Sequence, residues 1–138
     1  MPKPCLWQAK GIKVNKEAFI KAYKEPRNGT YFFERHPLVG SFISSDGVKE
    51  CADAGCYWLL DILATEIQAR HFQDKDSIFC VVRVEVKNQK CEITGEFFED
   101  DPTPYTKQIP YTDLPEGTWN FYLYYGDDKV ICYLPSEY

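Results

Sequence analysis

Residues 44–72 read SSDGVKECADAGCYWLLDILATEIQARHF, and the fold turns on how this stretch is built. Val48, Ala52, Cys56, Leu59, Leu60, Leu63 and Ile67 recur at intervals of three and four, the spacing that aligns side chains along one face of an α-helix. Glu50, Asp53, Tyr57, Asp61, Thr65 and Gln68 fall on the other side, so the segment reads as one long amphipathic helix with a core seam and a wet face. Ser44 or Ser45 supplies an N-cap oxygen, and Asp46 adds negative charge at the positive end of the helix dipole. Arg70 and His71 sit in the last turn, where positive charge is favoured, which accounts for His71 without a site role. Gly55 is the weak point, because an interior glycine costs about 1 kcal/mol relative to alanine and invites a kink or a break into two helices.

Upstream, Asn15 can cap a short helix, KEAFIKAYK, whose Phe19, Ile20 and Tyr23 share a face, and Pro26 followed by Arg27-Asn28-Gly29 stops it. The next stretch, TYFFERHPLVGSFIS, is apolar in patches but broken by Pro37 and Gly40, and it reads as an irregular linker feeding the long helix.

Downstream, alternation takes over. IFCVVRVEVK and CEITGEFF flank Asn88-Gln89 as a hairpin that pairs Val86 with Cys91, Val84 with Ile93, Val82 with Gly95 and Cys80 with Phe97. Its opposite face carries Arg83, Glu85, Lys87, Glu92 and Glu96. YTKQIPY, hemmed by Pro102, Pro104 and Pro110, suits a short edge strand. A last hairpin, TWNFYLYY and DKVICYL around Gly126-Asp127, pairs Leu123 with Val130, Phe121 with Cys132 and Trp119 with Leu134. Its second face, Tyr122, Tyr124, Ile131 and Tyr133, is as apolar as its first, so it needs cover from Leu6, Trp7, Phe19, Tyr23 or residues 31–33, or from a partner.

The expected architecture is therefore a single α+β domain over residues 1–138. It has an antiparallel sheet of four or five strands, mostly a meander, packed on the long helix, with residues 1–28 as an N-terminal satellite and 29–138 as the core. With 138 residues the chain has enough for one core and too little for two ordinary domains. The N-terminus lacks a signal-peptide h-region, and the longest apolar run, CYWLLDILA, is far short of a membrane span, which points to a cytoplasmic protein without a membrane partner. Six cysteines in such a compartment are expected to stay reduced.

The order RNGTYFFERHPLV, DGVKECADAGCYWLLD, IPYTDLPEG and YLPSEY resembles a family of small bacterial, plasmid and phage proteins labelled only as a domain of unknown function. The similarity runs from about Gly29 to the end. It implies a mobile-element or bacterial setting, and it brings no activity, substrate or catalytic residue with it.

Function classes can then be weighed. Nine basic residues against five acidic over residues 1–50 give way to seven against sixteen over 51–138, for a net charge of −5. Such a chain lacks the basic footprint that neutralises phosphates, so nucleic-acid binding is not expected. Cys51 and Cys56 are five apart and no CxxC or CxxxH spacing occurs, so neither metal nor other cofactor is expected. Cys80, Cys91 and Cys132 fall on inward strand positions, where a free cysteine acts as a small hydrophobe, and Cys5 is the likeliest accessible thiol by position. Glu85 and Glu92 face each other across the first hairpin, but on its wet side, where paired carboxylates are merely solvated. No GxGxxG, GxxxxGK, HExxH or GxSxG element is present.

Three readings remain. The leading one is a non-enzymatic interaction protein, an adaptor or an inhibitor of a host system, that binds a protein partner or itself through Tyr122, Tyr124, Ile131 and Tyr133. The alternative is a small enzyme or ligand-binding protein with a pocket near His36, Tyr57, Trp58 and Asp61, in which His36 and Asp61 are the candidates for catalysis. The third is an acidic mimic of nucleic acid, built on residues 96–101 with Asp127 and Asp128.

Overall fold

A computed structural model describes residues 14–25, 33–36, 39–68, 79–97, 101, 103–126 and 129–137. It is α+β, but the sheet is larger than the alternation predicts. Among the described residues seven strands, β1 (Phe33–Arg35), β2 (Phe42–Ser45), β3 (Phe79–Lys87), β4 (Lys90–Glu96), β5 (Tyr105–Ile109), β6 (Gly117–Gly126) and β7 (Lys129–Tyr133), lie in the order β1-β2-β7-β6-β3-β4-β5. Every pairing is antiparallel except β2 with β7, which is parallel, so the sheet is mixed and not a four- or five-stranded antiparallel meander. The meander survives only as β3-β4-β5.

Both unexpected strands, β1 and β2, come from the stretch read as a linker. Pro37 lies outside the described residues, and on either side of Gly40 β1 and β2 pair with each other, while Ile43 lies opposite Ile131 of β7. A three-residue and a four-residue strand leave too few positions for alternation to show.

The long helix is broken as Gly55 foreshadows. α1 (Lys16–Lys24) comes first, then α2 (Asp46–Cys51), a wide π-type turn (Ala52–Cys56), α3 (Tyr57–Ile62) and a second π-type turn (Leu63–Gln68). Gly55 sits at φ 120°, ψ 13°, outside helical space and in a region that side chains other than hydrogen rarely tolerate. Kinking there turns the Ala54 carbonyl outward, where it accepts the Asn15 amide at 2.6 Å and fixes the start of α1. Asn15 Oδ1 then accepts the Ala18 amide at 3.1 Å, completing the expected cap. The seam keeps its phase across the break: Val48, Ala52, Cys56, Leu59, Leu60, Leu63 and Ile67 are all buried.

The hairpin between β3 and β4 has the predicted register from Val86–Cys91 to Val82–Gly95, and its ladder ends at Val81–Glu96, one step short of Cys80–Phe97. Asn88 and Gln89 take φ 53° and 62°, the paired left-handed geometry of a tight hairpin turn. β5 is an edge strand, as its prolines require. The last hairpin is shifted: Leu123 faces Cys132, and Gly126 faces Lys129, so the link is residues 127–128 rather than Gly126-Asp127. Moving a partner by two residues leaves the same side chains facing the core, so the alternation could not distinguish the two registers.

Cys80, Val82, Val84, Ile93, Trp119, Phe121, Leu123, Val130, Cys132 and Leu134 line the inward face of the sheet, buried against the helical layer. Phe19 and Tyr23 of α1 pack on this face too. Their rings meet Trp119 at 5.1 and 5.0 Å, edge to face, and the Tyr23 hydroxyl accepts the Asn120 amide at 2.9 Å where β7 no longer reaches. They therefore do not cover the Tyr122–Tyr133 face. Leu6, Trp7, Tyr31 and Phe32 lie outside the described residues, and Phe33 is 54% exposed on edge strand β1.

Candidate functional site

The structure brings His36 and Asp61 together. The His36 ring, buried at the end of β1 with Phe42 edge-on at 6.1 Å, presents Nε2 to Asp61 Oδ1 at 2.8 Å. The Val39 amide donates to Nδ1 at 3.1 Å, which fixes the tautomer: Nδ1 is the acceptor and Nε2–H the donor. A histidine base needs one ring nitrogen facing the proton it takes. Here one nitrogen holds a backbone amide and the other a carboxylate, so the pair pins the β1–β2 connection to α3 and is poorly set up for proton transfer.

Tyr57 and Trp58 diverge from that pair. Tyr57 belongs to a polar cluster with Lys49 and Asp53, spaced four apart across the Gly55 kink; Lys49 Nζ lies 2.8 Å from Asp53 Oδ1, bonds the Tyr57 hydroxyl and sits 5.0 Å from its ring centre. The hydrogen bonds that Lys49 donates to Asp53 and Tyr57 raise its ammonium well above its usual range. Burial works against the Asp53 carboxylate, yet the Lys49 and Tyr57 bonds outweigh it and lower its pKa. Burial, then the bond to Asp53, raises the Tyr57 phenol. Trp58 points into the core at 1% exposure, and its buried Nε1–H has no acceptor among the described residues. Four residues proposed for one pocket thus divide among a pinned His–Asp pair, a surface network and the core.

The other candidates separate as well. Glu85 and Glu92 do face each other, but on the solvated side, where Glu92 bonds Gln108 and Arg83 lies 4.0 Å from Glu85. Of the acidic run, Glu96 is 3.7 Å from Arg83, and Asp101 is buried, accepting the Phe97 and Thr103 amides at 3.2 and 3.0 Å. Residues 98–100, 127 and 128 lie outside the described residues, as do Cys5 and His71. Cys51, Cys56, Cys80, Cys91 and Cys132 are buried, and burial pushes the Cys80 and Cys91 thiols up to about 12. Among the described residues no group of three or more His, Cys, Asp or Glu could hold a metal, and no helix is long and apolar enough to cross a membrane.

Tyr122, Tyr124, Ile131 and Tyr133 share the outer face of the sheet, and the register extends their patch. One cross-strand row runs Ile43, Ile131, Tyr124, Phe79; the next runs Tyr133, Tyr122, Val81. Tyr124 is 40% exposed and the others are half-buried. Tyr122 packs on Phe79 at 5.4 Å and edge-on to Tyr133 at 5.6 Å. Arg83, Glu85 and Glu96 border this patch along β3 and β4. Ile43 escapes a sequence reading because β2 does, whereas Phe79 and Val81 were legible: they alternate in phase with Arg83 and Glu85.

Two of the sequence signatures turn out to be architectural. In IPYTDLPEG the Thr112 amide donates to the Gln89 carbonyl at 2.8 Å, Glu116 accepts the Asn88 amide at 2.9 Å and the Pro115 carbonyl accepts Trp119 Nε1 at 2.9 Å, so this loop clasps the β3–β4 turn. In YLPSEY, Glu137 is a buried carboxylate that reaches the start of α2.

The chain belongs to a family of unknown function (DUF6876), whose model matches residues 24–138. Neither the curated proteins nor the solved structures contain a match to it.

Proposed function

We propose that this member of a family without an assigned activity is a non-enzymatic interaction protein that engages a protein partner, or a second copy of itself, through the outer face of its sheet. One observation carries the reading: the cross-strand rows of Ile43, Ile131, Tyr124 and Phe79 and of Tyr133, Tyr122 and Val81 form one aromatic and aliphatic patch with charged residues at its border. Tyrosine-rich patches with a polar rim are the usual anatomy of binding hot spots, because a rigid ring gives large contact area at small entropic cost. The competing enzyme reading loses its support where His36 has both ring nitrogens engaged. In this reading the protein is an adaptor or an inhibitor of a host system, encoded on a mobile element, and its partner is a cytoplasmic component of that host.

The test is a double variant, Tyr122→Ala with Tyr133→Ala, compared with the parent in sedimentation over a concentration series and in capture from a bacterial lysate. Loss of self-association or capture, with a melting temperature lowered by only a few degrees, is the expected result. A variant that binds and sediments like the parent would remove the outer face from consideration. A collapse of several kcal/mol, as buried aromatic truncation brings, would make the face internal cover instead.

A further inference from the structure

We infer that the last turn of the chain is a latch, in which the Glu137 carboxylate holds the β1–β2–α2 border of the molecule closed. β2 has slender attachments: three residue pairs to edge strand β1 on one side and three to β7 on the other. Onto its end comes the short 3₁₀ turn Pro135–Glu137, whose Glu137 side chain spans some ninety residues of sequence. Oε1 accepts the Ser45 hydroxyl at 2.6 Å and the Leu134 amide at 2.9 Å, and Oε2 accepts the Gly47 amide at 3.2 Å. Ser45 Oγ in turn accepts the Val48 amide at 3.2 Å, so the carboxylate both occupies the electropositive start of α2 and orients the hydroxyl that caps it.

The neighbouring sequence is cut to fit this contact. A Cβ at Gly47 would stand 2.7 Å from Glu137 Oε1 and 2.8 Å from its carboxyl carbon, so only glycine admits the carboxylate there. Ser45 and Glu137 are both buried, and withdrawing the carboxylate takes the acceptor from the Ser45 hydroxyl and the Leu134 amide in a dry place, while the Gly47 amide keeps only its 3.0 Å bond to Asp46 Oδ1. That imbalance is relieved by letting water in between β2 and the final turn. The border then opens on its own while β3, β4 and β6, which are longer and paired on both sides, stay closed. Ile43 lies on this border, so the latch also sets one edge of the outer-face patch; the latch itself does not depend on that patch binding anything.

Amide hydrogen exchange on the full chain, read by peptide mass spectrometry, tests this. In Glu137→Ala, amides of residues 42–51 should exchange about tenfold faster or more, while those of β3 and β4 keep their parent rates. Glu137→Gln, which keeps one acceptor oxygen, should give a smaller acceleration in the same residues and serves if the alanine variant does not fold. Gly47→Ala should reproduce the local opening with Glu137 intact, by pushing the carboxylate out. Acceleration spread evenly over the sheet, or none in residues 42–51, would overturn the latch.

Discussion

Gly55 is where one residue decides how two helices meet. Its φ of 120° is costly for any side chain, so Gly55→Ala should lose about 1–3 kcal/mol, read from a urea midpoint at unchanged slope. An unchanged midpoint would mean that the kink moves freely along the helix. Asp61 makes the complementary point. Helical phase puts it on the wet face, where truncation to alanine looks cheap, and its side chain is indeed 39% exposed. Yet its Oδ1 is the acceptor for a buried His36 Nε2–H, a contact twenty-five residues away that periodicity does not encode. Asp61→Ala should therefore cost about 1–3 kcal/mol, and Asp61→Asn, which keeps an acceptor, clearly less. Leu59→Ala, in the middle of the seam, should cost about 2–5 kcal/mol and remain the more damaging of the two. Equal stability of the Asp61→Ala and parent proteins would remove the His36 contact from the account.

Elements were legible in proportion to how local their signal is. The β3–β4 hairpin carries its own turn and nine alternating residues on one strand, and its register followed from them. The last hairpin carries equal alternation, but a slip of two residues is silent to it. β2 carries almost no local signal, because what makes it a strand is β7, met in parallel register nearly ninety residues later. The candidate pocket failed for a related reason: neighbours on a helix, Tyr57, Trp58 and Asp61, point three different ways, and only the fold says toward what. The turn between β3 and β4 offers a positive test at this scale. Gln89 holds φ 62°, a place where glycine is at ease and glutamine is not. Its carbonyl, which accepts the Thr112 amide, belongs to the backbone and survives substitution. Gln89→Gly should raise stability by roughly 0.5–1 kcal/mol, seen as a higher urea midpoint; a lower one would place the strain elsewhere.

Across the whole molecule, the ionisable groups with clear upward shifts fix how stability responds to alkali. Burial raises the thiols of Cys56, Cys80, Cys91 and Cys132 and the phenol of Tyr23, while hydrogen bonds donated to Asp53 and Tyr57 raise the Lys49 ammonium. The thiols set the onset. Below their ordinary value of 9.0 the folded and unfolded chains both keep the proton, and nothing is lost. From there up to about 12 the unfolded chain releases protons that the folded chain retains at Cys80 and Cys91, so unfolding is favoured as pH rises. Each pH unit in that window is worth about 1.4 kcal/mol per thiol at most. The melting temperature should hold from neutrality to about pH 8.5 and then fall, by on the order of 10 °C at pH 10.5. A variant with Cys80→Val and Cys91→Val, matched in size and unable to ionise, should fall less steeply over the same range. A parent curve that stays flat to pH 10.5, or a variant curve that falls just as far, would show that these thiols are not what the alkaline limb reports.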